Sequence, residues 1–94
     1  MNASQNNSGA SPHDRIVALV ERILERPPGA APVSTTARLN ELGMSSMKMI
    51  NLMLAIEVEF DLAIPQAEIT PENFETIASV EATVGRLLAS GAGG

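Results

Sequence analysis

The chain has no cysteine, no tryptophan and no tyrosine, and Phe60 and Phe74 are its only phenylalanines. Without cysteine there is no disulfide framework, no thiol nucleophile and no cysteine-ligated zinc. Without a set of aromatics there is no platform on which nucleobases could stack. Positive charge is also scarce: six lysines and arginines face eleven aspartates and glutamates, for a formal net charge of −5. That balance argues against non-specific binding to nucleic acid or an anionic membrane and permits basic partners. The one histidine, His13, falls at an expected helix start with no acid–base partner near it in sequence, and reads as a surface residue. An enzyme site needs convergent polar groups in a pocket, and this sequence offers no such cluster. No apolar run is long enough to cross a membrane. The first residues lack a basic segment followed by an apolar core, so no secretory leader is expected. A cytoplasmic monomer that is not an enzyme is the expectation.

What is present is 94 residues, enough for one small domain close to the lower limit for a self-sufficient core. Residues 1–10 are mostly Asn, Ser, Gly and Ala, and residues 90–94 are small; both are expected to be disordered tails around a folded domain at 11–89.

Ser11-Pro12-His13-Asp14 reads as a helix start, with serine as cap, proline at the first position and an acid in the first turn. Ile16, Val17, Leu19, Val20, Ile23 and Leu24 supply its apolar stripe, Arg26 suits its end, and Pro27-Pro28 stops it. Residues 27–36 form a long connection that is expected to drape over the core, anchored by Val33 and Leu39. Leu39-Asn40-Glu41-Leu42 reads as a short turn, with Gly43 allowing a left-handed conformation. A second long helix is expected from Ser46 to Phe60, with Met49, Ile50, Met53, Leu54, Ile56 and Phe60 inward and Lys48, Asn51, Ala55 and Glu59 opposite. Glu57 is the odd polar residue on the apolar side, expected to reach the edge or pair with Arg38 or Arg86. Leu62-Ala63-Ile64-Pro65 cannot continue the helix. Thr70-Pro71-Glu72 opens a short helix, and Ser79 is expected to cap a last one with Val80, Val84, Leu87 and Leu88 inward. Gly85 weakens that helix slightly. The fold class is all-α: a small four-helix bundle, three helices long and one short, with a long first connection.

The stretch that organises the rest is Leu42-Gly43-Met44-Ser45-Ser46-Met47. Either Ser45 or Ser46 caps the second helix, and the other sits at its first position. A hydroxyl there is exposed, rigidly held and next to the positive end of the helix dipole, where an esterified phosphate is stabilised. Met44, Met47, Met49 and Met53 cluster near it; Met49 and Met53 read as core, while Met44 and Met47 are open between core filler and adaptable surface.

This stretch, together with Leu54-x-Ile56-Glu57-x-Glu59-Phe60-Asp61-Leu62-x-Ile64-Pro65 and Thr76-Ile77-Ala78-Ser79-Val80, resembles the acyl carrier and peptidyl carrier proteins. Ile69-Thr70-Pro71-Glu72-Asn73-Phe74 looks more like the free-standing or peptidyl type. The resemblance spans about residues 16–88, with several motifs agreeing in order and spacing. It implies that a phosphopantetheinyl transferase places 4′-phosphopantetheine from coenzyme A on Ser46. It further implies that the arm's thiol holds an acyl or aminoacyl group as a thioester. A loading ligase and downstream synthase or condensation enzymes are the implied partners, with Gly43, Met44, Ser45, Met47, Lys48 and Asn51 as their recognition residues. In this division of labour Gly43 keeps the approach to the serine open, and the carrier itself catalyses nothing.

The chain departs from the family pattern at two places. Ser45 stands where the family usually has aspartate, and Met47 where it has leucine. A Gly-x-Ser-Ser version resembles small bacterial carriers charged by amino acid:[carrier protein] ligases, which points to an aminoacyl load in a specialised pathway. Lys48, Asn51 and Val58 replace the acidic display of fatty-acid carriers. The rival reading is an unmodified helical interaction module derived from the carrier fold.

Overall fold

A computed structural model describes residues 10–27 and 29–91 of the chain. The expected tails at 1–9 and 92–94 lie outside the described residues, as does Pro28. Three α-helices carry the fold: α1 (Pro12–Ile23), α2 (Ser46–Phe60) and α3 (Ile77–Ser90), with short 3-10 turns at Leu39–Leu42, Gln66–Glu68 and Glu72–Phe74. The expected fourth helix is therefore a single 3-10 turn, and no strand occurs among the described residues. The Asn73 N–H donates to the Thr70 hydroxyl at 3.2 Å, so the Thr-Pro-Glu start forms, but Thr76 breaks away into extended backbone before a full α-turn can close.

α1 begins as its sequence dictates. Ser11 accepts from the Asp14 N–H, Pro12 takes the first turn, and Ile16, Leu19 and Val20 are buried. It ends earlier than the proline pair, because Glu25 adopts a left-handed φ of 59°. Arg26 has left the helix and donates to the Ala31 carbonyl at 2.6 Å, pinning the connection. Val33 and Leu39 are both buried, so the long connection does lie on the core. It is stitched to the start of α3 by Leu39 N–H to Glu75 O (2.8 Å) and Ala78 N–H to Thr35 O (3.0 Å).

α3 starts at Ile77, capped by Thr76 rather than Ser79. Ser79 is the third helical residue and its hydroxyl returns the bond to the Thr76 N–H, forming a capping box. The helix runs through Ser90 to Gly91, past the expected limit at 89. Ile77, Val80, Val84 and Leu87 are buried, with Thr83 beside them donating to the Ser79 carbonyl. Leu88, expected inward, is exposed.

The core is one cluster drawn from all three helices, the connection and Leu62, Ile64 and Phe74. α1 packs on both α2 and α3. Arg15 closes one seam: it pairs with the Glu59 carboxylate at 2.8 Å, donates to the Glu59 carbonyl, and lies 4.3 Å over the Phe60 ring. Glu57 ties α2 to the segment that follows it, accepting from the Ile64 N–H at 2.8 Å. It pairs with neither arginine, since Arg38 holds Glu75 and Arg86 holds Glu68.

His13 has a partner after all, 68 residues away: its Nδ1 lies 2.9 Å from Glu81 on α3. That hydrogen bond, helped by the charges of Glu81 and Asp14, raises its pKa above the ordinary 6.5. A raised folded-state pKa stabilises the fold fully below the unfolded value and progressively less as pH rises through the folded one. The melting-temperature gap between wild type and His13→Asn is therefore expected to be largest below the ordinary histidine range and to close as pH rises through and beyond it. A gap that widens with pH contradicts the pairing.

Candidate functional site

The corner before α2 is built from three residues with separate tasks. Gly43 ends the first 3-10 turn at φ 100°, a conformation that costs any side-chain-bearing residue. A Cβ placed there meets no atom of the chain within 4 Å, so within the fold glycine is required for its backbone angle and not for space. Met44 follows and is only 4% exposed. Its N–H donates to the Leu39 carbonyl at 3.0 Å. Met44 is thus a core anchor of the corner and not a recognition residue, because its side chain faces the bundle.

Ser45 is the cap: its backbone is extended, and its hydroxyl accepts from the Lys48 N–H at 3.2 Å. Its carbonyl accepts from the Met49 N–H at 2.8 Å. That leaves Ser46 as the first helical residue, exposed. Among the described residues its hydroxyl has no hydrogen-bond partner. The cap satisfies the Lys48 donor, while the N–H groups of Ser46 and Met47 belong to the unsatisfied first turn. A phosphate ester on Ser46 would lie beside these donors and the positive helix end. The residues present fit such a group.

The remaining face of α2 differs from the one expected. Leu52, Ile56 and Phe60 are buried; Met49, Met53 and Ala55 pack against the core at its margins. Ile50 and Leu54, expected inward, are 50% and 55% exposed. Glu59, expected outward, folds onto Arg15. Ile50 and Leu54 line up with Met47 (68%) and Val58 (84%) on the outer side. At 100° per residue these four lie within an arc of about 80°, running about 16 Å along the helix from beside Ser46. Asn51 borders the row and is exposed, while Lys48 is half-buried with its ammonium 3.9 Å from Glu25. The spacing Met47, Ile50, Leu54, Val58 puts this second apolar arc on α2 in the sequence itself.

A groove of about 360 Å³ lies between the first turn of α2 and the third 3-10 turn, with Met49 and Phe74 within and Arg38, Glu72 and Glu75 among its charged lining. Among the described residues no group of three His, Asp or Glu side chains could hold a metal ion. No helix there is long and apolar enough to cross a membrane.

An exposed hydroxyl at the positive end of a rigid helix suits a carrier, a protein that holds a group covalently for other proteins to act on. The chain belongs to the phosphopantetheine attachment site family, whose model matches residues 14–86. Its prosthetic group is phosphopantetheine, and the chain is a carrier protein and not itself an enzyme. It is 51% identical over 71 residues to aminoacyl carrier protein 1 of Bradyrhizobium diazoefficiens, covering 76% of this chain and 79% of that one. It is 40% identical to aminoacyl carrier protein 2 of the same organism, over 94% of this chain and 99% of the relative. Two crystal structures of the Bradyrhizobium japonicum glycine:[carrier protein] ligase contain similar chains. In the complex with glycylated carrier protein the TM-score is 0.65 at 48% identity, over 78% of this chain and 99% of that one. In the complex with cognate carrier protein and a glycyl adenylate analogue it is 0.67 at 47% identity, over 81% and 99%.

Proposed function

We propose that Ser46 carries the 4′-phosphopantetheine arm and that the arm's load is an aminoacyl group. The observation that carries this is the split between the two serines: Ser45 is consumed as the helix cap, and Ser46 is exposed and unengaged at the helix start. When bound, the group supplies a thiol on a long flexible arm. Ser46 anchors that arm, the α2 N-terminus balances its phosphate, and Gly43 and Met44 hold the corner in place. Ser45, Met47, Lys48 and Asn51 lie around the attachment point as recognition residues for partners, which are a phosphopantetheinyl transferase, an amino acid:[carrier protein] ligase and a downstream enzyme that accepts the load. The setting is cytoplasmic, and the functional unit is the folded domain that begins at residue 11 and runs to the end of α3.

An aminoacyl load agrees with the relatives named above. The test is loading. Holo-protein given glycine, ATP and the B. japonicum glycine:[carrier protein] ligase is expected to gain about 57 Da, released by a free thiol. Holo-protein that accepts malonyl or long acyl groups from a fatty-acid synthase set and no amino acid contradicts the proposal.

A further inference from the structure

Lys48 is the only lysine of the chain, and it stands in the first turn of α2. That is the unfavourable end of a helix for a cation, because the unpaired N–H groups there already carry partial positive charge. No acid occupies that turn to offset it, and no base occupies the last turn, where one would be stabilised. Among the described residues the ammonium has one ionic partner, Glu25, at 3.9 Å. Glu25 is 80% exposed at its side chain and sits on left-handed backbone past the end of α1. A pair that long and that exposed stabilises little. The Lys48 side chain is nonetheless only 34% exposed, so its stem lies along the protein. The corner thus holds a misplaced positive charge with no adequate counter-ion.

We propose that Lys48 is a positioning residue for the arm: once the arm is attached, its ammonium leaves Glu25 and pairs with the phosphodiester on Ser46. This deepens the reading of Ser46 as the attachment site and rests on it. Residues two apart face different sides along the length of a helix, but that opposition does not hold at its end. A phosphate over the free N–H groups of Ser46 and Met47 lies beyond the first turn, close to the helix axis. Helical side chains slant toward the N-terminus, so the flexible stem of Lys48 leans to that same end. The phosphodiester supplies the anion that the first turn lacks, and the root of the arm is held against the corner.

The test compares melting temperatures of the full chain without the arm and after complete modification, verified by intact mass, at about 20 mM salt. Taking the difference between the two forms of each variant removes whatever the substitution does to packing. In wild type the arm is expected to raise Tm by at least about 3 °C. Lys48→Gln is expected to keep less than about half of that gain and Lys48→Arg most of it. About 1 M sodium chloride is expected to remove most of the wild-type gain. Glu25→Gln is expected to keep or enlarge it, since the ammonium is then free to move. Equal gains in wild type and Lys48→Gln overturn the proposal, as does a wild-type chain that the arm does not stabilise. A gain lost in Glu25→Gln also overturns it, because the effect then runs through the Lys48–Glu25 pair and not through the phosphate. Failure of the Ser46 reading shows separately, as an unmodified mass or an adduct that survives in Ser46→Ala before any melting is measured, and it takes this proposal with it.

Discussion

Leu52→Ala is expected to cost the fold about 3 kcal/mol or more, while Leu54→Ala, two residues away on the same helix, is expected to change stability by less than about 0.5 kcal/mol. Leu52 has no exposed surface and belongs to the core cluster; Leu54 is more than half exposed. Removing three carbons from a packed site forfeits their transfer energy and leaves a cavity that a bundle this small cannot close. A domain of this size has only a few kcal/mol in hand, so the Leu52 variant is expected to be largely unfolded at 37 °C. Urea unfolding of both variants decides the matter. Equal losses, or a larger loss at Leu54, contradict the orientation of α2 described above.

That contrast also shows where the sequence was legible and where it was not. The limits of α2 were readable, because Ser45-Ser46 can only start a helix and Asp61-Leu62-Ala63-Ile64-Pro65 can only end one. Its rotation was not. Apolar residues lie on two arcs, Leu52–Ile56–Phe60 and Met47–Ile50–Leu54–Val58, and period alone cannot say which arc faces the core. The start of α3 failed for a related reason. Thr76 and Ser79 are both competent caps, and here Thr76 is extended and accepts from the Ser79 N–H while Ser79 serves as its capping-box partner. The end of α1 was set by Glu25 turning left-handed, not by the prolines two residues on.

Side-chain partners distant in sequence were beyond reach. The His13–Glu81 contact joins the two ends of the folded region, and Glu57 is satisfied by a backbone N–H in the following segment. Neither pairing has a sequence signature. At the site, the motif around Gly43 and Ser46 was legible, and so was the resemblance it carries. The division of labour between the serines was not, since only the hydrogen bond from the Lys48 N–H distinguishes cap from first residue. Met44 was open between core filler and adaptable surface, and its burial ties the corner to the core.

The second large effect is all-or-none. Ser46→Ala is expected to abolish modification without loss of stability, because the Ser46 hydroxyl bonds to no described residue. Ser45→Ala removes the cap and is expected to cost about 1 kcal/mol of stability while modification persists. The pair of variants thus separates a tethering role from a folding role at adjacent, chemically identical side chains. An unmodified interaction module would show neither difference in mass.

The most direct measurement is the intact mass of the purified chain after incubation with coenzyme A, magnesium and a phosphopantetheinyl transferase. Wild type and Ser45→Ala are expected to gain about 340 Da and Ser46→Ala to gain nothing. A wild-type mass that does not move, or a gain that survives in Ser46→Ala and vanishes in Ser45→Ala, contradicts the account.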